Sequence, residues 1–294
     1  MKVLIDADII VYSCGFSAEK PIWRVVVEGS VLASFRYKKE LDEWVSSVGL
    51  VDYKAVKDAE VGPVAHALGN AKELIKKILL RTGADEYQLY LTGKGNFRDE
   101  IATIKPYKGN RDSSHKPHHY DSLIRYLTEN WGAITVEGIE ADDAMSTEQM
   151  RCHIGSLSAE FGITKYLFEE LKNFGTTCIA TIDKDLDMVP GWHYNWNKDV
   201  KYFIDEETAI TWFYAQLIMG DQTDNIQGIP GAGKAKAKNT LMSCDTEEDM
   251  YWAVLDLYQA YYSTLGMKPM TALLENARLL WMRREEGVDW NPPC

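Results

Sequence analysis

The chain has 294 residues, 46% hydrophobic and 26% charged, with a formal net charge of −12. This is the composition of a soluble globular protein with room for one large domain or a core plus a smaller module. It argues against a membrane protein, because no apolar run reaches the length of a span and Asp6 interrupts the opening run Met1 to Ile5 where a signal peptide would continue. Five scattered cysteines without Cys-x-x-Cys spacing argue against a zinc site and for reduced thiols in a cytoplasmic compartment.

Along the chain, residues 2–11 read as a buried strand and residues 22–35 as a β-hairpin around Glu28-Gly29-Ser30. Lys39 to Val48 reads as a short helix. His66 to Leu80 has the spacing of an amphipathic helix, with Gly83 after it. Tyr87 to Leu91 is the next strand. A basic segment follows, with Lys94, Arg98, Lys105, Lys108, Arg111 and Lys116 against Asp99, Glu100 and Asp112, and with His115, His118 and His119 nearby. Ser122 to Trp131 reads as a helix. From 133 the pattern alternates: strand 133–137, helix from about 141, helix 164–173, strand 177–182, short strand 200–204 and helix 208–219. Such alternation implies a mostly parallel sheet covered on both faces. At Gly220 the texture turns Gly- and Lys-rich and then purely helical, which divides the chain into an α/β core over 1–219 and a helical module over 220–294.

Carboxylates stand where apolar runs stop. Asp6 ends Val3-Leu4-Ile5; Glu140, Asp142 and Asp143 follow Ala133 to Val136; Asp183 and Asp185 follow Cys178 to Ile182; Asp221 and Asp224 follow the stretch Trp212 to Met219. Parallel strands deliver such side chains to one edge of a sheet, where open α/β folds place their sites. Eight acids there need cations, most economically two Mg²⁺ ions, with Mn²⁺ as a substitute, acting on a phosphodiester. Without those eight the formal charge is −4, so the acidity of the chain does not exclude a nucleic-acid partner. Each pair also has a plain structural reading, as a helix cap or as loop polarity.

Gly228-Ile229-Pro230-Gly231-Ala232-Gly233-Lys234-Ala235-Lys236 is a glycine-rich turn opening a helix. Glycines let backbone approach a phosphate, and helix-start N–H groups bind the anion. Ala235 after Lys234 breaks the Walker pattern, which argues against an NTP site and for a DNA-backbone clamp, with a simple helix connection as the alternative.

Taken in order, Pro106-Tyr107-Lys108-Gly109-Asn110-Arg111, Glu140-Ala141-Asp142-Asp143, Asp183-Lys184-Asp185-Leu186-Asp187 and Gly220-Asp221-Gln222-Thr223-Asp224 through Gly233 resemble the motifs of the 5′-nuclease (flap endonuclease) family. The likeness is greatest to phage 5′–3′ exonucleases and to the 5′-nuclease domain of bacterial DNA polymerase I. It runs from residue 3 to about 240, and residues 20–60 match nothing in it. The resemblance implies a PIN-like core, a helical arch made from the basic segment at about 94–119, and a helix–three-turn–helix at Gly228 to Leu241. It implies Asp6, Glu140 and Asp142 on one Mg²⁺, and Asp143, Asp183, Asp185, Asp221 and Asp224 on the other. Lys108 and Arg111 match residues that hold the scissile phosphate. Lys94, Arg98, Lys105, Tyr107 and Lys116 would contact nucleic acid in the arch, and Gly228, Gly231, Gly233, Lys234 and Lys236 would bind duplex backbone, with K⁺ implied at that turn. The implied activity is hydrolysis 5′→3′ in duplex or flapped DNA, or in RNA paired to DNA, during replication, repair or recombination.

One feature departs from the pattern. The family carries an acid just after the strand before the arch, but here Leu91-Thr92-Gly93-Lys94-Gly95 has none. If Gly93 stands in the place of a ligand, Gly93→Asp is expected to strengthen ion binding; alternatively Asp8, Asp99 or a water fills the position. Two other functions stay open on the residues alone: a phosphatase with Asp6 as nucleophile, and a DNA-end or junction binder without catalysis.

Overall fold

The computed structural model describes residues 1–111, 116–152 and 177–293. They fall into two compact units, one of Met1–Ile9, Lys76–Ser113 and Trp131–Cys294, the other of Ile10–Ile75 and Ser114–Asn130.

The first unit is built on six strands in the order β6 (Ile134–Val136), β5 (Glu86–Thr92), β1 (Lys2–Asp6), β7 (Thr177–Ala180), β8 (Gly191–Asn195) and β9 (Val200–Ile204). The first five are parallel, and β9 returns antiparallel to β8. Val3, Leu4 and Ile5 on β1 are fully buried, as a central strand covered on both faces requires. Helices α4 (Phe97–Ile101), α6 (Ala141–Arg151), α7 (Glu206–Met219), α8 (Lys234–Leu241), α9 (Glu247–Tyr262) and α10 (Pro269–Leu280) belong to the same unit. Phe213, Tyr214, Leu217 and Ile218 of α7 join one core with Val254 and Tyr258 of α9 and Leu273 and Ala277 of α10. The helical region after Gly220 therefore shares its core with the sheet. It also contains one short ladder, Gly220–Asp221 with Ile226–Gln227, where no strand is expected from the residues.

In the second unit, β2 (Glu19–Val27) lies between β3 (Ser30–Phe35) and β4 (Lys54–Val61), all antiparallel. Glu28 and Gly29 both take positive φ, 51° and 82°, the primed turn whose twist matches a two-residue hairpin. Helix α2 (Lys38–Val48) buries Leu41 and Val45 against Val25.

The expected strand 2–11 stops at Asp6, and helix α1 (Ala7–Ser17) starts at once. Asp6 Oδ1 accepts the Ile9 N–H at 3.2 Å and so caps that helix, while Ile10, Val11 and Cys14 are buried at helical spacing. Besides that ladder, two longer strands escaped the sequence reading. β4 is exposed and rich in charge, as an edge strand can be, and β8 is a five-residue mix of glycine, aromatic and polar residues. The expected helix 164–173 lies outside the described residues. No described helix is long and apolar enough to cross a membrane.

His193 on β8 is 1% exposed, with Nε2 2.7 Å from the Val189 carbonyl, and burial pushes its pKa down to about 4. A base with a lowered folded pKa contributes full stability above its unfolded pKa, near 6.5, and loses it as pH falls towards 4. Urea denaturation should show wild type losing on the order of 3 kcal/mol more than His193→Gln between pH 7 and pH 4. Parallel pH curves for the two proteins would remove this histidine from the acid response.

Candidate functional site

The acids do gather at the carboxyl edge of the six-stranded sheet. Asp6, at the end of β1, is 3% exposed; its Oδ2 accepts from the Thr181 hydroxyl at 2.8 Å. Burial first, then Asp8 and Asp183, push it up to about 7. Asp142, in the first turn of α6, is raised well above the usual carboxylate range by burial and then by Asp6, Asp183 and Glu140. Asp183 Oδ1 accepts the Asp185 N–H at 2.9 Å. Asp185 is pushed up to about 7 by burial and then by Asp183, and it hydrogen bonds with Asp221. Burial acts upward on Asp221 too, but the bond with Asp185 and the N–H groups of Thr223 and Asp224 outweigh it and hold Asp221 low. These hard oxygen donors suit Mg²⁺ or Mn²⁺, although among the described residues no three are drawn closed around one point.

A second set of contacts brings the Pro106-to-Arg111 motif onto this edge. The Lys108 N–H donates to the Asp224 carbonyl (2.9 Å), Asn110 Nδ2 to the Gln222 carbonyl (2.6 Å), Arg111 Nε to the Thr223 carbonyl (3.2 Å) and Asn225 Nδ2 to the Pro106 carbonyl (2.9 Å). Laced in this way, Lys108 Nζ pairs with Glu140 and lies 3.8 Å from Asp224, while Arg111 pairs with Asp224. Lys108 is held with φ at 52°, which turns the chain here.

Three of the expected site residues have other work. Arg98 was expected to contact nucleic acid, but it is 1% exposed. Its guanidinium grips both oxygens of Asp143 (2.5 and 2.9 Å) and donates to the Leu279 and Trp281 carbonyls. Asp143 was expected to bind metal. Besides Arg98 it accepts the N–H groups of Arg283 (3.1 Å) and Glu140 (3.3 Å), so it is the counter-ion of a buried arginine at the start of α6. Tyr107 was expected to face nucleic acid, but its ring is buried and its hydroxyl lies 2.8 Å from Asp224 and 3.0 Å from Glu140. The neighbouring Phe97 ring is covered by the Arg283 and Arg98 guanidiniums.

Gly93 is also corrected. A Cβ there would stand 2.6 Å from Glu137 Oε1 and from the Val136 carbonyl, so the position does not admit an aspartate. The neighbouring strand end already brings a carboxylate to this spot, with Glu137 Oε2 accepting the Lys94 N–H at 2.6 Å, and Asp8 accepts the Thr92 N–H at 3.1 Å. Gly93→Asp should now lower the melting temperature by several degrees and leave the Mg²⁺ requirement no better. A folded, equally stable variant would show that the loop gives way.

Sequence reasoning missed Thr181 and Gln216. Gln216 of α7 is 2% exposed and donates to Asp185 Oδ1 at 2.6 Å. A lone glutamine in an apolar helix carried no signal beyond its own polarity.

The glycine turn stands beside the acids. A Cβ on Gly228 would meet the Gly220 backbone nitrogen at 2.2 Å, and Gly231 has φ of 75°, so both need glycine. Gly233 caps α8, on which Lys234 and Lys236 are exposed. A cleft of about 750 Å³ runs from Lys105, Asn110 and Gln222 along Gly228 to Gly233. Lys94 is exposed. Lys116, in the second unit, is exposed with its ammonium 4.3 Å above the Tyr120 ring.

No protein-family model matches the chain. Over 148 residues it is 30% identical to an exodeoxyribonuclease of Enterobacteria phage T3 and to an exonuclease of Escherichia phage T7. Each match takes in 49% of this chain and 43% of the relative, so the chain spans less than half the length of these relatives. A phage T5 protein crystallised with metal ions superposes with TM-score 0.54 at 17% identity, over 95% of this chain and 88% of that one. The T5 5′-exonuclease with zinc gives 0.53 at 17% identity, over 96% and 90%. Together these likenesses bear out the resemblance to the 5′ nucleases: the chain has the fold of the T5 5′-exonuclease and, across 49% of its length, is similar in sequence to phage exonucleases.

Proposed function

We propose that the protein is a divalent-metal-dependent 5′ nuclease acting on duplex or flapped DNA, with RNA paired to DNA as a further substrate. The observation that carries this reading is the lacing of Pro106–Arg111 onto Gln222–Asn225, which sets two cations against Glu140 and Asp224 at the edge where Asp6, Asp142, Asp183 and Asp185 meet. Divalent cations held by these acids would activate the attacking water and neutralise charge at the leaving oxygen. Lys108 and Arg111 would turn from their carboxylates to the reacting phosphate as those acids take up metal. The Gly228 turn with Lys234 and Lys236 would hold duplex backbone without reading sequence, and K⁺ at that turn belongs to the same reading. On this view residues 220–294 form the DNA-holding module on the 1–219 core. A phosphatase using Asp6 is disfavoured, because both Asp6 oxygens already accept hydrogen bonds and one caps α1.

The test is digestion of 5′-labelled duplex and flap DNA in Mg²⁺ against EDTA. Metal-dependent release of labelled short products supports the reading; binding without cleavage would leave an end- or junction-binding protein. Lys108→Ala and Arg111→Ala should each cut single-turnover cleavage by 10- to 100-fold, on the order of 1.4–2.7 kcal/mol, while duplex affinity changes less than threefold. Unchanged single-turnover rates in both would take these cations out of the chemistry.

A further inference from the structure

Residues 20–60 belong to no motif of the nuclease resemblance, yet one end of their sheet is chemically distinctive. β3 ends at Phe35, and Arg36, Tyr37, Lys38 and Lys39 follow, all exposed, Tyr37 by 57%. The Arg36 guanidinium lies 5.6 Å from the Tyr37 ring centre, and Lys38 Nζ lies 5.7 Å from that of Trp23. Lys57 on β4 is the register partner of Trp23, opposite Phe35 on the other side. Tyr37 is fixed rather than dangling: its backbone is extended at the start of α2 and its N–H donates to Glu40 at 3.3 Å. Of the nearby acids, Glu40 accepts that bond and Glu43 lies 3.7 Å from Lys39.

The charge distribution points the same way. The second unit holds 10 of the chain's 32 Lys and Arg but only 11 of its 44 Asp and Glu, so it is nearly neutral within a strongly acidic protein. At this sheet end Asp58 is paired with Arg24 and Glu43 with Lys39, whereas among the described residues Arg36, Lys38 and Lys57 take part in no ion pair.

We propose that Trp23, Arg36, Tyr37, Lys38, Lys39 and Lys57 form a binding surface for single-stranded nucleic acid. Unpaired bases stack on anchored aromatic rings whose neighbours are cations, and the same cations take the phosphates. A paired duplex hides its base faces, so the surface selects single strands. Stacking and phosphate contacts do not read the sugar, so DNA and RNA bind alike.

The test uses the full chain in EDTA, which prevents cleavage, with fluorescent 30-nucleotide oligo-dT, oligo-rU and a blunt duplex followed by anisotropy. Combining Arg36→Ala, Tyr37→Ala and Lys38→Ala should weaken both single strands at least tenfold and duplex less than twofold. The log-log salt slope on single strands should fall by about 1.4 for the two lost cations. Tyr37→Phe alone should stay within twofold of wild type, because it keeps the ring, and Lys57→Glu should weaken single strands without touching the Tyr37 loop. Unchanged single-strand affinity in the triple variant overturns the proposal and leaves the patch to an acidic protein partner or to solvent. An equal loss on duplex also overturns it, since that is general electrostatics. Cleavage in Mg²⁺ is scored separately, so a failed nuclease reading is not mistaken for a failed surface.

Discussion

Asp185→Asn should reduce cleavage by more than 100-fold while DNA affinity stays the same or rises. Asp185 sits between Asp183 and Asp221, is pushed up to about 7 by burial and by those neighbours, and takes a 2.6 Å bond from Gln216. On the proposed function this carboxylate holds a cation, and its amide would keep the shape but lose the charge that binds the ion. Removing a group that only supports a ligand from behind typically costs 10- to 100-fold, so a larger loss separates a direct ligand from a support. One negative charge fewer near phosphate reduces repulsion, which is why binding should not suffer. The readouts are single-turnover cleavage across a Mg²⁺ titration and anisotropy in EDTA. Near-normal turnover at saturating Mg²⁺ would remove Asp185 from the mechanism.

Replacing Arg98 with methionine should destabilise the protein by about 3–5 kcal/mol, the usual effect of stripping one partner from a buried ion pair. In a chain of this size that corresponds to a fall in melting temperature on the order of 10 °C. The loss has several parts: Asp143 is left charged and buried, and the Leu279 and Trp281 carbonyls at the end of α10 lose their donor. Arg98→Lys should recover little, because one ammonium cannot reproduce the fork that holds both Asp143 oxygens and two carbonyls. Arg98→Met combined with Asp143→Leu should recover much of the stability, since an apolar pair leaves no lone buried charge. A single-variant loss below 1 kcal/mol by urea denaturation would show that water reaches Asp143. Because Asp143 also takes the Glu140 N–H, the single variant should loosen the start of α6 and raise the Mg²⁺ needed for cleavage.

Much of the fold was written locally. Val3-Leu4-Ile5 and Cys178-Ile179-Ala180 read as buried strands because a central parallel strand is covered on both faces and so is continuously apolar. Amphipathic α2, α3 (Val64–Thr82) and α5 (Tyr120–Trp131) announced themselves by period, and Glu28-Gly29 announced the hairpin. The acids Asp6 and Asp183 were legible too, since the end of a buried parallel strand delivers its next polar residue to the sheet edge, whereas Asp221 and Asp224 follow a helix. The partners of charged residues were not legible. Arg98 and Lys108 look alike in a basic segment ten residues apart, yet one is sealed under the C-terminal end of α10 and the other stands at the acids. Asp142 and Asp143 are adjacent, but the helix turns them apart, one towards Asp6 and Asp183 and the other towards Arg98. Gly93 looked like a missing acid until the neighbouring strand placed Glu137 against it. Residue type and spacing set the elements and the edge; where each charge finds its partner is a matter of long-range packing, because it depends on residues up to 183 positions apart in the chain, as with Arg98 and the Trp281 carbonyl.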